Sequence, residues 1–392
     1  MILQEKAEYR APLGLYVHVP FCPSTCDFCA FYQESPDSAS VGLFLDGIEA
    51  ELELIDWNEP VTTIFWGGGT PGLLAARDLR RLGQAISRRL ERLPLEWTVE
   101  MAPSTVSAAR MNALVDIGVN RISLGVQSFN DATLESLGRR HSSGRVFRAI
   151  DEIRAAGFEN FNIDLIFAAP GQTVKSWETD LEEALRASPA HVSTYCLTFE
   201  EDTALYARLL DGKINRRTEE EECRFYELAG EILATCDYMQ YEISNYARPG
   251  MECRHNVNTW KMYDWFGVGP SAASQRQGRR TTNIDAIATW YRGLTDGRPV
   301  FRENHAVDSA TLAMDYLIFG LRMNRGVCLT EFRERFSQMD LSPFERYCAI
   351  LQKEGLVRVS SSANVALTPR GRLLADGVAA EIMRRCAFSF PN

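Results

Sequence analysis

Six short apolar runs, each followed by a longer amphipathic stretch, occupy roughly the first 245 residues of this 392-residue chain. The strand-like runs are residues 15–20, 61–66, 96–101, 121–126, 162–167 and 191–199. Helical spacing marks 41–55, 73–92, 106–117, 145–156, 175–187 and 218–235. Strand and helix in strict alternation predict a parallel sheet built from right-handed βαβ crossovers. Six units fit an open barrel better than a complete eight-stranded one, with a doubly wound sheet as the competing arrangement. Gly157, closing "AAGF", is the expected C-terminal cap of the helix at 145–156.

A chain of this length exceeds what one core usually serves, so a second, smaller domain is expected. The texture changes near residue 285, which sets the expected domains at 1–285 and 286–392. Residues 308–323 carry an apolar stripe at helical spacing, and 354–383 read as strand, turn, strand, helix. That order resembles a small winged-helix unit. A formal net charge of −10 favours a structural cap there over a nucleic-acid-binding surface. No run of about 18 apolar residues predicts a transmembrane helix. The charged segment "MILQEKAEYRAPLG" lacks the apolar centre of a secretion signal. Ten cysteines are too dilute for a disulfide scaffold, and seven are scattered singly, which points to a reducing, cytoplasmic compartment.

The other three cysteines are different. In "YVHVPFCPSTCDFCAFY", Cys22, Cys26 and Cys29 stand in C-x3-C-x2-C spacing just after the first strand. They are poorly placed to fill a core. A structural zinc site needs a fourth ligand, for which Cys253 or His255 are the distant candidates. A [4Fe–4S] cluster held by three thiolates would leave one iron open for a small molecule. "FWGGGTPGLL" follows the second strand, and Gly67, Gly68 and Gly69 permit close backbone approach. Glu100, Gln127 and Asp164 lie at or just past the ends of expected strands, where barrel enzymes gather their chemistry. A strand buried on both faces should otherwise be apolar. Arg139 can pair a carboxylate through a bidentate fork, with His141 beside it.

"CPSTCDFC" resembles the cluster-binding loop of radical S-adenosylmethionine (SAM) enzymes, in which SAM completes the coordination of the fourth iron. "YVHVPFC", "GGGTP", "RISLGVQSFND", "LGRRH", "NIDLIFAAPGQT" and "YEISNYARPGMECRHNVNTW" follow in order. Together they resemble the oxygen-independent coproporphyrinogen III oxidase-like family, on its heme-chaperone branch. The true oxidases carry a further cysteine where Phe31 stands, and a longer segment ahead of the loop. The resemblance implies a partial (β/α)6 TIM-type barrel followed by a smaller, mostly helical C-terminal domain. It implies that Cys22, Cys26 and Cys29 hold the cluster, and that Tyr16, Gly68, Gly69, Thr70, Glu100, Gln127, Arg139 and Asp164 contact SAM. Phe28 and Cys196 match a second SAM position in the oxidase relatives, and His255 matches a residue associated with heme. The implied partners are heme or porphyrin, a heme-acceptor protein, and an electron donor where SAM is cleaved to a 5′-deoxyadenosyl radical. Decarboxylation of porphyrinogen propionates and radical methyl transfer are the alternative activities. The chain departs from the family pattern at Thr259 (tyrosine), Ala273 (histidine), Ala168 and Ala169 (Gly-Leu), and at 200–203.

Overall fold

The computed structural model describes residues 11–386 and places all six expected strands in one parallel array. They are β1 (Leu13–Val19), β2 (Val61–Gly68), β3 (Glu96–Met101), β4 (Arg121–Gln127), β5 (Phe161–Phe167) and β6 (His191–Cys196), in sequential order across the sheet. The connecting helices are α1 (Ser38–Glu53), α2 (Ala76–Ser87), α3 (Ala108–Asp116), α4 (Asp131–Ser136), α5 (Ser143–Ala155) and α6 (Val174–Arg186). Gly157 has φ of +89°, the left-handed turn expected just beyond the C-cap of α5. The reading of the N-terminus rests mostly on residues 1–10, which lie outside the described residues.

Alternation along each strand explains the architecture. Leu15, Val17, Ile64, Trp66, Trp97, Val99, Ile122, Leu124, Ile163 and Leu165 are buried and belong to the main apolar core. The intervening positions are Tyr16, Thr63, Glu96, Thr98, Glu100, Arg121, Ser123, Asn162, Asp164, His191 and Ser193. Successive side chains point to opposite faces. One face of every strand therefore packs on helices, while the other lines a polar interior. An eight-stranded barrel normally fills its centre with branched apolar residues; here many of the inward positions are polar instead.

The sheet does not close. Beyond β6 come α7 (Ala204–Leu210), α8 (Glu219–Ala234) and the short antiparallel strands β7 (Met239–Gln240) and β8 (Asn245–Ala247). Next are α9 (Arg254–Trp260), β9 (Trp265–Val268), β10 (Ala273–Arg276), β11 (Arg279–Asn283), α10 (Ile287–Thr295) and β12 (Phe301–Ala306). β9 pairs in parallel with β1, and β10, β11 and β12 extend that edge, giving twelve strands in all. This changes the domain picture. α10 puts Ile287, Trp290 and Leu294 into the main core, and the sheet runs on to Ala306, so a boundary at 285 cuts through it. The signal was weak because β12 is fully exposed and has no apolar alternation.

A separate core begins with α11 (Ser309–Arg322). It continues through β13 (Val327–Cys328), α12 (Leu329–Arg335), α13 (Ser342–Lys353), β14 (Val357–Val359), β15 (Asn364–Leu367), α14 (Pro369–Leu373) and α15 (Ala375–Arg385). The hairpin and helix expected at 354–383 are present, joined by β13 as a third strand. No described helix is long and apolar enough to cross a membrane.

Candidate functional site

The three clustered cysteines occupy the loop leaving the C-terminal end of β1, at the mouth of the barrel. Backbone hydrogen bonds Cys22 N–H to Glu34 O (3.0 Å) and Glu34 N–H to Pro20 O (2.7 Å) pinch the loop at its base. At its tip, Cys29 N–H donates to Cys26 O (3.1 Å). Asp27 is clamped from several sides: its N–H donates to Leu137 O, its carbonyl accepts from Leu205 N–H, and its carboxylate pairs with Arg208 at 3.1 Å. Gly138 has φ of +71°, and a Cβ there would lie 2.4 Å from Asp27 Oδ1, so this clamp requires glycine.

All three thiols are half-buried and unbridged. Burial pushes up the Cys22 and Cys29 thiols, and the neighbouring cysteines push further, while Arg139 pulls down. Cys22 and Cys29 thus resist becoming thiolates until a cation joins them. Among the described residues, no three His, Cys, Asp or Glu side chains converge as a single metal ion demands. Thiolates are soft donors, of the kind that iron–sulfur chemistry uses. The zinc arrangement also fails on position. Cys253 and His255 contact Glu96 at the start of β3, the opposite end of the barrel from the cysteine loop.

The glycine run lies against this loop. Gly69 N–H donates to Val19 O (2.9 Å) and Thr70 N–H to Phe21 O (2.8 Å), while Thr70 Oγ1 is 3.4 Å from Cys22 Sγ. Gly68 has φ of +99°, and a Cβ there would meet the His18 ring at 2.5 Å; one at Gly69 would meet Phe21 O at 2.7 Å. The glycines thus make room first for protein atoms. Gly68 N–H is engaged by Glu100. With these N–H groups taken, the turn has carbonyl oxygens to offer a ligand, which suits an ammonium.

Glu100 and Asp164 lie close enough for their charges to act on each other, and Arg139 acts on the Cys22 and Cys29 thiols. Glu100 has its pKa raised to about 8, by burial first and then by the Asp164 charge. Burial also raises Asp164, opposed by hydrogen bonds from Asn162 and Ser123 and by Arg121. Tyr16 stacks on Phe65 at 6.4 Å and lies beside His18, with Tyr16 Oη 3.2 Å from His18 Nδ1. The Arg139 guanidinium sits 5.7 Å from the Phe28 ring, and its Nε is buried without a partner among the described protein groups. A buried, unsatisfied donor of this kind is costly unless a ligand acceptor meets it. His141 is half-buried, with Nε2 3.2 Å from Val126 O. Cys196 ends β6 exposed, apart from the three thiols, and burial within its surroundings raises its pKa to about 12.

Backbone strain gathers here too. Gln127, at the end of β4, and Ala168, just after β5, adopt φ of +68° and +62°. Ala168 stands where the family pattern has glycine, which the left-handed region favours. Ala168→Gly is therefore expected to stabilise the fold by about 1 kcal/mol. A higher urea midpoint at unchanged slope will show it; a lower midpoint refutes it.

His255 lies elsewhere. It occupies α9, which plugs the N-terminal end of the barrel, and only 8% of it is exposed. Its Nδ1 is 3.1 Å from Thr63 Oγ1, its ring is 5.3 Å from Phe65, and burial followed by the Arg121 charge lowers its pKa to about 4. From Thr63 to Gly68 the strand rises on the order of 16 Å, so His255 and the cysteines sit at opposite ends. Thr259 folds its hydroxyl back onto His255 O. The base has its own polar set that the sequence reading passed over: Glu96, Arg121, Asn162 and His191. All occupy inward positions of strands already recognised, so strand alternation alone could have found them.

Known proteins share this fold. Residues 16–184 match the model of the radical SAM superfamily. The chain is 34% identical to the heme chaperone HemW of Bacillus subtilis over 93% of its own length and 97% of the relative's. It is 32% identical to HemW of Mycobacterium tuberculosis, covering 94% of each. In structure it superposes on the Escherichia coli coproporphyrinogen III oxidase HemN, a radical SAM enzyme, with a TM-score of 0.81 and 22% identity. That comparison covers 94% of this chain and 89% of the other. With the fold shared and the sequence similarity running end to end, the chain belongs to the HemW heme-chaperone family of radical SAM proteins.

Proposed function

We propose that this protein binds a [4Fe–4S] cluster, SAM and heme, and passes heme to an acceptor protein. The observation that carries the cofactor part is the meeting of three half-buried thiols, an unpartnered Arg139 Nε and a glycine turn at one barrel mouth. When bound, the cluster supplies an open coordination position and one-electron reduction. Cys22, Cys26 and Cys29 hold it. Arg139 neutralises the SAM carboxylate, the carbonyls of the 68–70 turn accept from its ammonium, and Glu100, Gln127 and Asp164 accept from ammonium and ribose hydroxyls. Tyr16 and Phe28 supply apolar walls.

The heme part rests on what the relatives are named for, and His255 is its proposed ligand. Nδ1 is occupied by Thr63, so Nε2 is the nitrogen to be offered. Because the ring is enclosed, ligation there also requires the base to open. Anaerobic reconstitution followed by heme titration, with 5′-deoxyadenosine and decarboxylated coproporphyrinogen assayed in parallel, tests the reading. Heme saturation without decarboxylated product supports a chaperone; turnover to that product replaces it with an oxidase. His255→Ala is expected to weaken heme binding at least tenfold, and heme is expected to speed hydrogen exchange in 253–263. Unchanged affinity removes His255 as the ligand.

A further inference from the structure

One chain of hydrogen bonds runs the length of the polar interior. At the base, Cys253 N–H donates to Tyr241 Oη (3.3 Å). Tyr241 Oη lies 2.9 Å from His191 Nε2, and His191 Nδ1 lies 2.7 Å from Asn162 Oδ1. Asn162 Nδ2 donates to Asp164 Oδ1 at 2.8 Å and to Ser123 Oγ at 2.7 Å, and Ser123 Oγ donates to Asp164 Oδ2 at 3.1 Å. Ser193 Oγ donates to Asn162 Oδ1 at 3.2 Å.

The direction of the chain follows from its ends. A carboxylate only accepts, so Asn162 turns its NH2 toward Asp164 and its oxygen toward His191 and Ser193. That oxygen requires a proton on His191 Nδ1. Nε2 is then an acceptor, and Tyr241 must donate to it. Tyr241 Oη in turn accepts from a backbone N–H. Every donor points the same way, ending on Asp164. Aligned bonds of this kind polarise one another. His191 is 1% exposed and Asn162 1%, so the middle of the path is shielded from solvent, while Tyr241 and Asp164 at its ends are half-buried. Burial and the Arg121 charge hold the His191 ring neutral, as the chain requires. The far end is anchored in the C-terminal unit: Tyr241 O accepts from Asn324 N–H, and Asn324 Nδ2 donates to Gln240 O.

We propose that Asn162, His191 and Tyr241 are positioning residues that hold the Asp164 carboxylate aimed at the barrel mouth as the acceptor for SAM. They thereby tie that site to α9 and the Asn324 loop at the opposite end. The proposal rests on Asp164 being a SAM contact. Its test measures the SAM dissociation constant on anaerobically reconstituted full-length protein. His191→Leu is expected to weaken SAM binding about tenfold, since it removes the donor that keeps the Asn162 amide turned toward Asp164 and leaves a buried amide oxygen short of a partner. His191→Asn, whose amide nitrogen stands near the position of Nδ1, is expected to stay within about threefold of wild type. Because His191 acts through Asp164, His191→Leu combined with Asp164→Asn should bind no more weakly than Asp164→Asn alone. A merely structural loss would add to it.

If His191→Leu does not fold, Tyr241→Phe decides, because it keeps the ring and breaks one link; a weakening of about threefold is expected. Wild-type affinity in whichever variant folds, with the cluster intact, overturns the proposal, as does additive loss in the double variant. A wild-type protein that loads its cluster and binds no SAM refutes the underlying cofactor reading, a different outcome from wild-type binding that the variants leave untouched.

Discussion

Replacing any one of Cys22, Cys26 or Cys29 with alanine is expected to abolish cluster assembly. Iron after anaerobic reconstitution should fall from about four atoms per chain to below one, with loss of the broad visible absorbance. The expectation is this severe because, among the described residues, the loop carries no further cysteine. Cys196, the next cysteine along the chain, ends a different strand and is exposed, and Cys253 lies buried at the far end of the barrel. Two thiolates left on the loop cannot hold a cubane whose third iron has no replacement donor. Cys196→Ala and Cys253→Ala are the matched controls and should load iron as the wild type does. The loop itself should survive the substitutions, because Asp27, Glu34 and Leu205 hold it through backbone bonds and an ion pair that do not involve sulfur. Full iron content in Cys26→Ala would mean that the thiols are not the ligands.

The strands and helices of the barrel were legible because burial on a helix layer imposes a strict alternation. All six strands and the six expected helices fall within a few residues of their expected bounds, whereas α4, between β4 and β5, was not expected. The mouth residues were legible for the same reason: Glu100 and Asp164 break an apolar rule that their neighbours obey. What escaped notice were features without a local pattern. β12 is an exposed edge whose partner among the described strands, β11, is itself largely polar, so neither periodicity nor burial marks it. The placement of His255 could not be read either. Its motif follows β8 by a few residues, but its position beneath the barrel depends on Glu96, some 159 residues earlier. Sequence spacing reports which residues share an element, and long-range capping is invisible to it.

That capping also makes the base fragile in a specific way, and Glu96→Ala is expected to be among the most destabilising substitutions outside the apolar core. Glu96 is 3% exposed. Its carboxylate accepts from Arg254 N–H and His255 N–H, both at 2.9 Å, and from Cys253 Sγ–H at 3.5 Å. These are the first donors of α9, which a helix leaves unsatisfied unless something caps them. The same carboxylate is one of the charges that favour the Arg121 guanidinium, which is 2% exposed and whose Nε has no described partner. Alanine at position 96 therefore strips the cap and leaves a buried cation less compensated, a change that costs about 3–5 kcal/mol. Glu96→Gln keeps one oxygen for the helix N–H groups and loses the charge, so it should fall between. The decisive measurement is the double variant Glu96→Leu/Arg121→Met, compared with each single change by urea unfolding. If charge compensation dominates, the double variant is more stable than the sum of the two losses predicts, because neither charge remains to be desolvated. If the helix cap dominates, the losses add, and the role of Arg121 in holding the barrel base is wrong.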